Sequence, residues 1–178
     1  MSEPSGAVRA GPLGLARHII ELWALAGGLL LLAVVLMNAY SLLADMAFRR
    51  PLAGDFELVE VGVAVAAFAF LPYCQLAGAN VTADIFTQGA GPRTVAGLTL
   101  LSAVIAFAFS LLLTWRMGQG LIDLRQYGET TVIMSFPIWI AFVPIVLSLV
   151  LLALASLISV LDATADVLSP GGSGATGR

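Results

Sequence analysis

Hydrophobic positions along this chain gather into four long runs separated by shorter polar stretches. The runs extend from about Leu22 to Ala44, Leu58 to Ala77, Val95 to Trp115 and Ile138 to Val160. Each reaches the roughly 20 residues that a helix needs to cross the apolar core of a bilayer. No charged residue lies within the core of any run. Lipid offers the backbone no hydrogen-bond partners, so such runs are helices rather than open strands. The pattern therefore predicts an all-α membrane protein with four transmembrane helices over residues 15–162. Residues 1–14 and 163–178 are rich in Gly, Ser and Pro and are expected to be disordered tails. The first run is longer than the apolar stretch of a secretory signal, so it is read as a retained helix although Arg9 and Arg17 precede it. An even number of crossings puts both tails on one side. The longest connection, between the third and fourth runs, is about twenty residues and leaves no room for a soluble domain.

The second run ends in an unusual way, in "FLPYCQLAGANVTADIF". Pro72 removes one backbone donor and disfavours a straight helix near residue 68. Gln75 begins the exit and Gly78 loosens the chain. In "NVTADIF", Asn80, Thr82 and Asp84 can face water while Val81, Ile85 and Phe86 face lipid. A short amphipathic segment lying at the interface between helices 2 and 3 is expected here. "GAGPR" then breaks the chain before the third run.

Because lipid is as apolar as leucine, the runs must associate through close packing of small residues. Gly62, Ala66 and Ala69 offer such a face on the second, and Ala103, Ala106 and Ser110 on the third. Ser148, Ala155, Ser156 and Ser159 offer one on the fourth. Trp23, Trp115 and Trp139 each stand at the edge of a run, where indole rings favour the membrane interface.

Composition agrees with the pattern and removes several functions. The chain is 60% hydrophobic and 11% charged, with a mean hydropathy of +1.00, against roughly 25% charged residues in soluble domains. A net charge of −3 gives no footprint for nucleic acid. One cysteine, Cys74, excludes an internal disulfide or a Cys-rich zinc site. One histidine, His18, excludes a bis-His haem within the chain. No metal-ligand cluster, nucleophile or partner acid accompanies Asp84, so the chain is read as no enzyme and as holding no cofactor. The arginines do not settle orientation. Arg9, Arg17, Arg93 and Arg178 fall on the side of the tails, and Arg49, Arg50, Arg116 and Arg125 on the other. Span cores free of ionisable groups are poorly suited to carrying a polar solute, since such pathways normally keep some.

Four features together resemble one family, the small membrane subunit (DctQ type) of tripartite ATP-independent periplasmic, or TRAP, transporters. The first is four spans in a short chain. The second is the acidic start of the second span, "GDFELVEVGV", with Glu57 and Glu60. The third is Leu71-Pro72 followed by a short polar stretch ending in an acid, "NVTAD". The fourth is "TTVIMSFPIWIAFVPIVLSLVLLAL", similar to the family's proline–aromatic–proline opening of the last span, with Pro137, Trp139 and Pro144. The resemblance covers roughly residues 15–162. The chain departs from the family where a His or Arg often precedes the acid of the third motif; Asn80 and Thr82 stand there instead.

The resemblance implies a non-catalytic scaffold in the bacterial inner membrane, with cytoplasmic termini. Its implied partners are a large multi-span membrane subunit that carries the transport site, a periplasmic solute-binding protein, and phospholipids. The sodium gradient that would drive organic-acid uptake is used by the large subunit. The loops after the first and third spans would then face the periplasm. Arg49, Arg50, Asp55, Glu57, Arg125, Tyr127 and Glu129 in those loops form a mixed-charge rim suited to docking the binding protein. Ordinary solvated loops with weak local ion pairs are the competing reading. Glu60, Pro72, Asn80, Asp84, Trp115 and Trp139 are candidates for subunit contact or interfacial anchoring. A self-sufficient homo-oligomeric transporter or channel is the alternative function. It would place a charge inside a span.

Overall fold

A computed structural model describes residues 12–77 and 92–168. Four helices account for most of them: α1 (Pro12–Phe48), α2 (Asp55–Leu76), α3 (Pro92–Tyr127) and α4 (Ile138–Leu168). Each contains a stretch long and apolar enough to cross a membrane. Among the described residues the extended structure is limited to one antiparallel bridge, Thr130 to Pro137. The all-α, four-span architecture is as the hydrophobic pattern requires. The expected amphipathic segment, with Asn80 and Asp84, lies outside the described residues.

The helices run past the apolar stretches that announce them. α1 starts at Pro12 and α4 continues to Leu168, beyond the boundary drawn at residue 162. α3 carries on past Trp115 to Tyr127, so most of the long third connection is helix and not loop. Hydropathy marks the part of a helix that lipid covers. It does not mark where the hydrogen-bond ladder stops, and Met, Leu, Arg and Gln all propagate a helix well. Pro72 is buried inside α2, and the helix continues around it to Leu76, taking in Gln75.

α2 packs between α1 and α4, and α3 packs on α4 alone to any extent. α4 is the most enclosed helix, burying Ala141, Ile145, Leu149, Ala155 and Ile158 together with Ser148 and Ser156. The expected small-residue faces are used. Gly62, Ala66 and Ala69 are buried on α2, and Ala103 and Ser110 on α3. The α1–α2 contact needs glycine at two places. A Cβ on Gly27 would stand 2.7 Å from the Cβ of Ala69, and a Cβ on Gly62 would collide with Cγ2 of Val34.

Hydroxyl groups and long polar side chains then tie the helices together. The Trp23 indole N–H donates to Ser148 Oγ at 2.9 Å, joining α1 to α4, and Ser148 Oγ donates to the Pro144 carbonyl at 2.8 Å. Trp23 stands at the edge of a span in sequence, yet its polar edge is turned inward. Near the tails, Gln75 Nε2 approaches Ser159 Oγ at 3.5 Å, and Arg17 pairs with Asp162 at 2.8 Å.

Candidate partner interface at the loop end

The end of the bundle opposite the tails is built from two short connections that lock onto the start of α2. α1 stops at Phe48, and Arg49 follows in the left-handed region (φ 51), its N–H donating to the Asp45 carbonyl at 2.8 Å. The chain returns to α2 through Gly54, also left-handed (φ 80). That position admits little but glycine. A Cβ there would meet Met134 Cγ at 2.5 Å and Sδ at 2.9 Å, and positive φ is uncommon for other residues.

Asp55 and Glu57 occupy the first turn of α2, where carboxylates favour the exposed N–H groups and the helix dipole. Both are also committed to neighbours. Ser41 Oγ, buried on α1, donates to Asp55 Oδ2 at 2.7 Å and accepts the Leu52 N–H at 3.0 Å, while Asp55 Oδ1 accepts the Phe56 N–H at 2.8 Å. Glu57 reaches the other connection. Its Oε1 accepts the Ile133 N–H at 2.7 Å and its Oε2 the Met134 N–H at 3.1 Å. Glu57 stands ahead of the apolar run that begins at Leu58. The Ile133 amide foremost, with Met134, Thr131 and Val132 adding to it, holds its carboxyl below the ordinary value against a smaller opposing effect of burial.

The connection from α3 to α4 is internally braced. Gly128 (φ 64) ends α3 in the left-handed conformation common after helices. Thr131 N–H donates to the Phe136 carbonyl at 2.9 Å, Phe136 N–H to Thr131 Oγ1 at 3.1 Å, and Ile138 N–H to the Glu129 carbonyl at 3.1 Å. The Arg125 guanidinium lies 5.6 Å from the centre of the Trp139 ring, a cation–π contact between the end of α3 and the start of α4.

The residues singled out from sequence thus divide into two sets. Asp55, Glu57, Arg125 and Trp139 hold the two connections and their helices together. Arg49, Arg50, Glu60, Tyr127 and Glu129 are exposed around them, and Trp115 is exposed farther down α3. Several apolar side chains are exposed at this end as well, among them Phe48, Phe56 and Val132, the last 93% exposed. Ser41 has no signal in the sequence; Trp23 and Ser148 stand out as a span-edge indole and a small packing residue, but their pairing does not, because they become neighbours only on folding.

A family model described as "Tripartite ATP-independent periplasmic transporters, DctQ component" matches residues 46–166. The chain belongs to the DctQ family. The match takes in both connections of the loop end and α2 to α4 almost entire. No curated protein and no solved structure matches the chain significantly. As a DctQ protein, the chain is the small membrane subunit of a TRAP transporter, a component that works with a large membrane subunit and a solute-binding protein. Four membrane-spanning helices and this family suggest a multi-pass inner-membrane protein.

Proposed function

We propose that this DctQ subunit is a static brace: it supports the large subunit in the bilayer and offers its loop end to the solute-binding protein during sodium-driven uptake of an organic acid. The observation that carries this reading is that the bundle is held closely at its loop end and along the α1–α2 contact, with a weaker, exposed ion pair at the tail end. Glu57 ties the start of α2 to the α3–α4 connection at one end, and Arg17 pairs with Asp162 at the other. Between them, α1 and α2 meet at close range through Gly27 and Gly62. A body fastened in this way suits support better than movement. By the family's habit the tails are cytoplasmic and the loop end periplasmic. Its exposed arginines and acids, beside exposed Phe56 and Val132, then surround a rigid platform for a soluble partner.

A disulfide across the α1–α2 contact tests the brace. The Cβ of Val34 lies 3.6 Å from the place a Cβ on Gly62 would occupy, within the usual disulfide range. In a Cys74→Ser background, Val34→Cys with Gly62→Cys should oxidise readily. Proteoliposomes holding the complete transporter should retain uptake when the bond is closed. Uptake abolished by oxidation and restored by reductant would show that α1 and α2 move, and the static reading would fail.

A further inference from the structure

α3 carries charge at a depth where α4, the helix it packs on, is apolar. The Ile138 N–H donates to the Glu129 carbonyl at 3.1 Å, so the start of α4 is level with the end of α3. The helices then run antiparallel with Arg125 over Trp139, and Gly120 beside Phe142. Residues 116–127 of α3, "RMGQGLIDLRQY", accordingly lie alongside residues 139–150 of α4, "WIAFVPIVLSLV". The α4 segment contains no charge; its Ala141 and Phe142 share a cleft with Val61 and Ala64 of α2, which Glu57 and Glu60 of α2 also line. At 1.5 Å per residue, Arg116 sits about 16 Å below the end of α3.

Arg116, Gln119, Asp123 and Gln126 are all exposed. Their spacing of three, four and three residues places them on one helix face. Neither Arg116 nor Asp123 has an ion-pair partner among the described residues. Ionised groups at such a depth are costly against lipid and ordinarily face protein or water. The exposed face of α1 is different: Leu22, Leu25, Leu29, Leu32 and Leu36 make it wholly suited to acyl chains.

We propose that the stripe Arg116–Gln119–Asp123–Gln126 is a docking face for a transmembrane helix of the large subunit, one that sets an acid against Arg116 and a hydrogen-bond donor or base against Asp123. The proposal rests on the family reading that such a subunit assembles with this chain. Charge complementarity selects this occupant over lipid, and the order of the two charges fixes its register.

The whole transporter, purified with a tag on this chain, provides the test. A photoreactive benzoylphenylalanine in place of Gln119 should give an adduct with the large subunit on illumination. Arg116→Leu with Asp123→Leu should lower recovery of the large subunit more than tenfold, while thermal unfolding of the isolated chain in detergent is unchanged. A stripe facing lipid predicts the reverse: adducts with lipid only, and recovery equal to wild type. Either of those results overturns the proposal. Wild-type chain that recovers the large subunit without an adduct at 119 sinks the docking face alone. Wild-type chain that recovers no large subunit sinks the assembly on which it rests.

Discussion

Replacing Gly62 by alanine tests the claim that α1 and α2 meet at backbone distance. The added Cβ is placed against Cγ2 of Val34. Val34 is only 8% exposed, and a helical valine has one strongly preferred rotamer, so the collision is not relieved by a simple rotation. Overpacking of this kind costs about 1–3 kcal/mol. Removing a glycine from a helix gives back at most about 1 kcal/mol, so Gly62→Ala should range from neutral to destabilising by about 3 kcal/mol. Gly118→Ala is the matched control, since a Cβ there meets nothing within 4 Å. It should keep only the gain. Val34→Ala clears the space that the new methyl needs, so a double-mutant cycle of Gly62→Ala with Val34→Ala should return a favourable coupling of about 0.5–3 kcal/mol. Unfolding by sodium dodecyl sulfate in mixed micelles, followed by tryptophan fluorescence, measures all four proteins and the control. If Gly62→Ala is as well tolerated as Gly118→Ala and the coupling is under about 0.3 kcal/mol, then α1 and α2 do not meet at backbone distance and are not held together by this contact.

Three further outcomes are expected. Gly54→Ala should destabilise the chain, because it forces a residue with a side chain into positive φ and drives its Cβ into Met134; the same detergent titration detects it, and Gly54→Ala with Met134→Ala should recover only the steric share. Glu57→Ala should raise amide hydrogen exchange at Ile133 and Met134 with no change at Thr99 or Ser102 on α3, because it removes the acceptor for those two N–H groups. In wild type the protection factors of those two amides, exchange rates divided into the intrinsic rates at the same pH, should fall under acid: the carboxyl is held below its usual 4.5, so its contribution is complete above that value and is lost as pH falls through the lower, folded-state value. Arg17→Ala should change stability by about 1 kcal/mol or less, since the pair with Asp162 is well exposed; a larger loss in the detergent titration would mean that the tail end is held more firmly than the geometry provides.

The fold was legible because two of its causes are local. Twenty apolar residues in a row name a membrane helix wherever they occur, and small residues at helical spacing name the surface by which it packs. Gly62, Ala66 and Ala69 could be read as a contact face without knowing what they contact. The loop end was legible only in part. Glu57 and Asp55 stand out as acids at the start of a helix, but a sequence cannot distinguish a carboxylate waiting for a partner from one already holding Ile133, Met134 and Ser41. The reach from Glu57 to Ile133 spans 76 positions, and no periodic pattern crosses that distance. The same limit explains α3. Hydropathy ends at Trp115, so the polar residues after it read as a loop held clear of the membrane. What decides their surroundings is the level at which α4 begins, and a hydrogen bond between Glu129 and Ile138 sets that level. Once it is fixed, Arg116 and Asp123 lie at the level of the apolar first turns of α4 instead of above them, and Arg116, which gave no orientation in a count of charges, acquires a physical requirement for protein or water at its side.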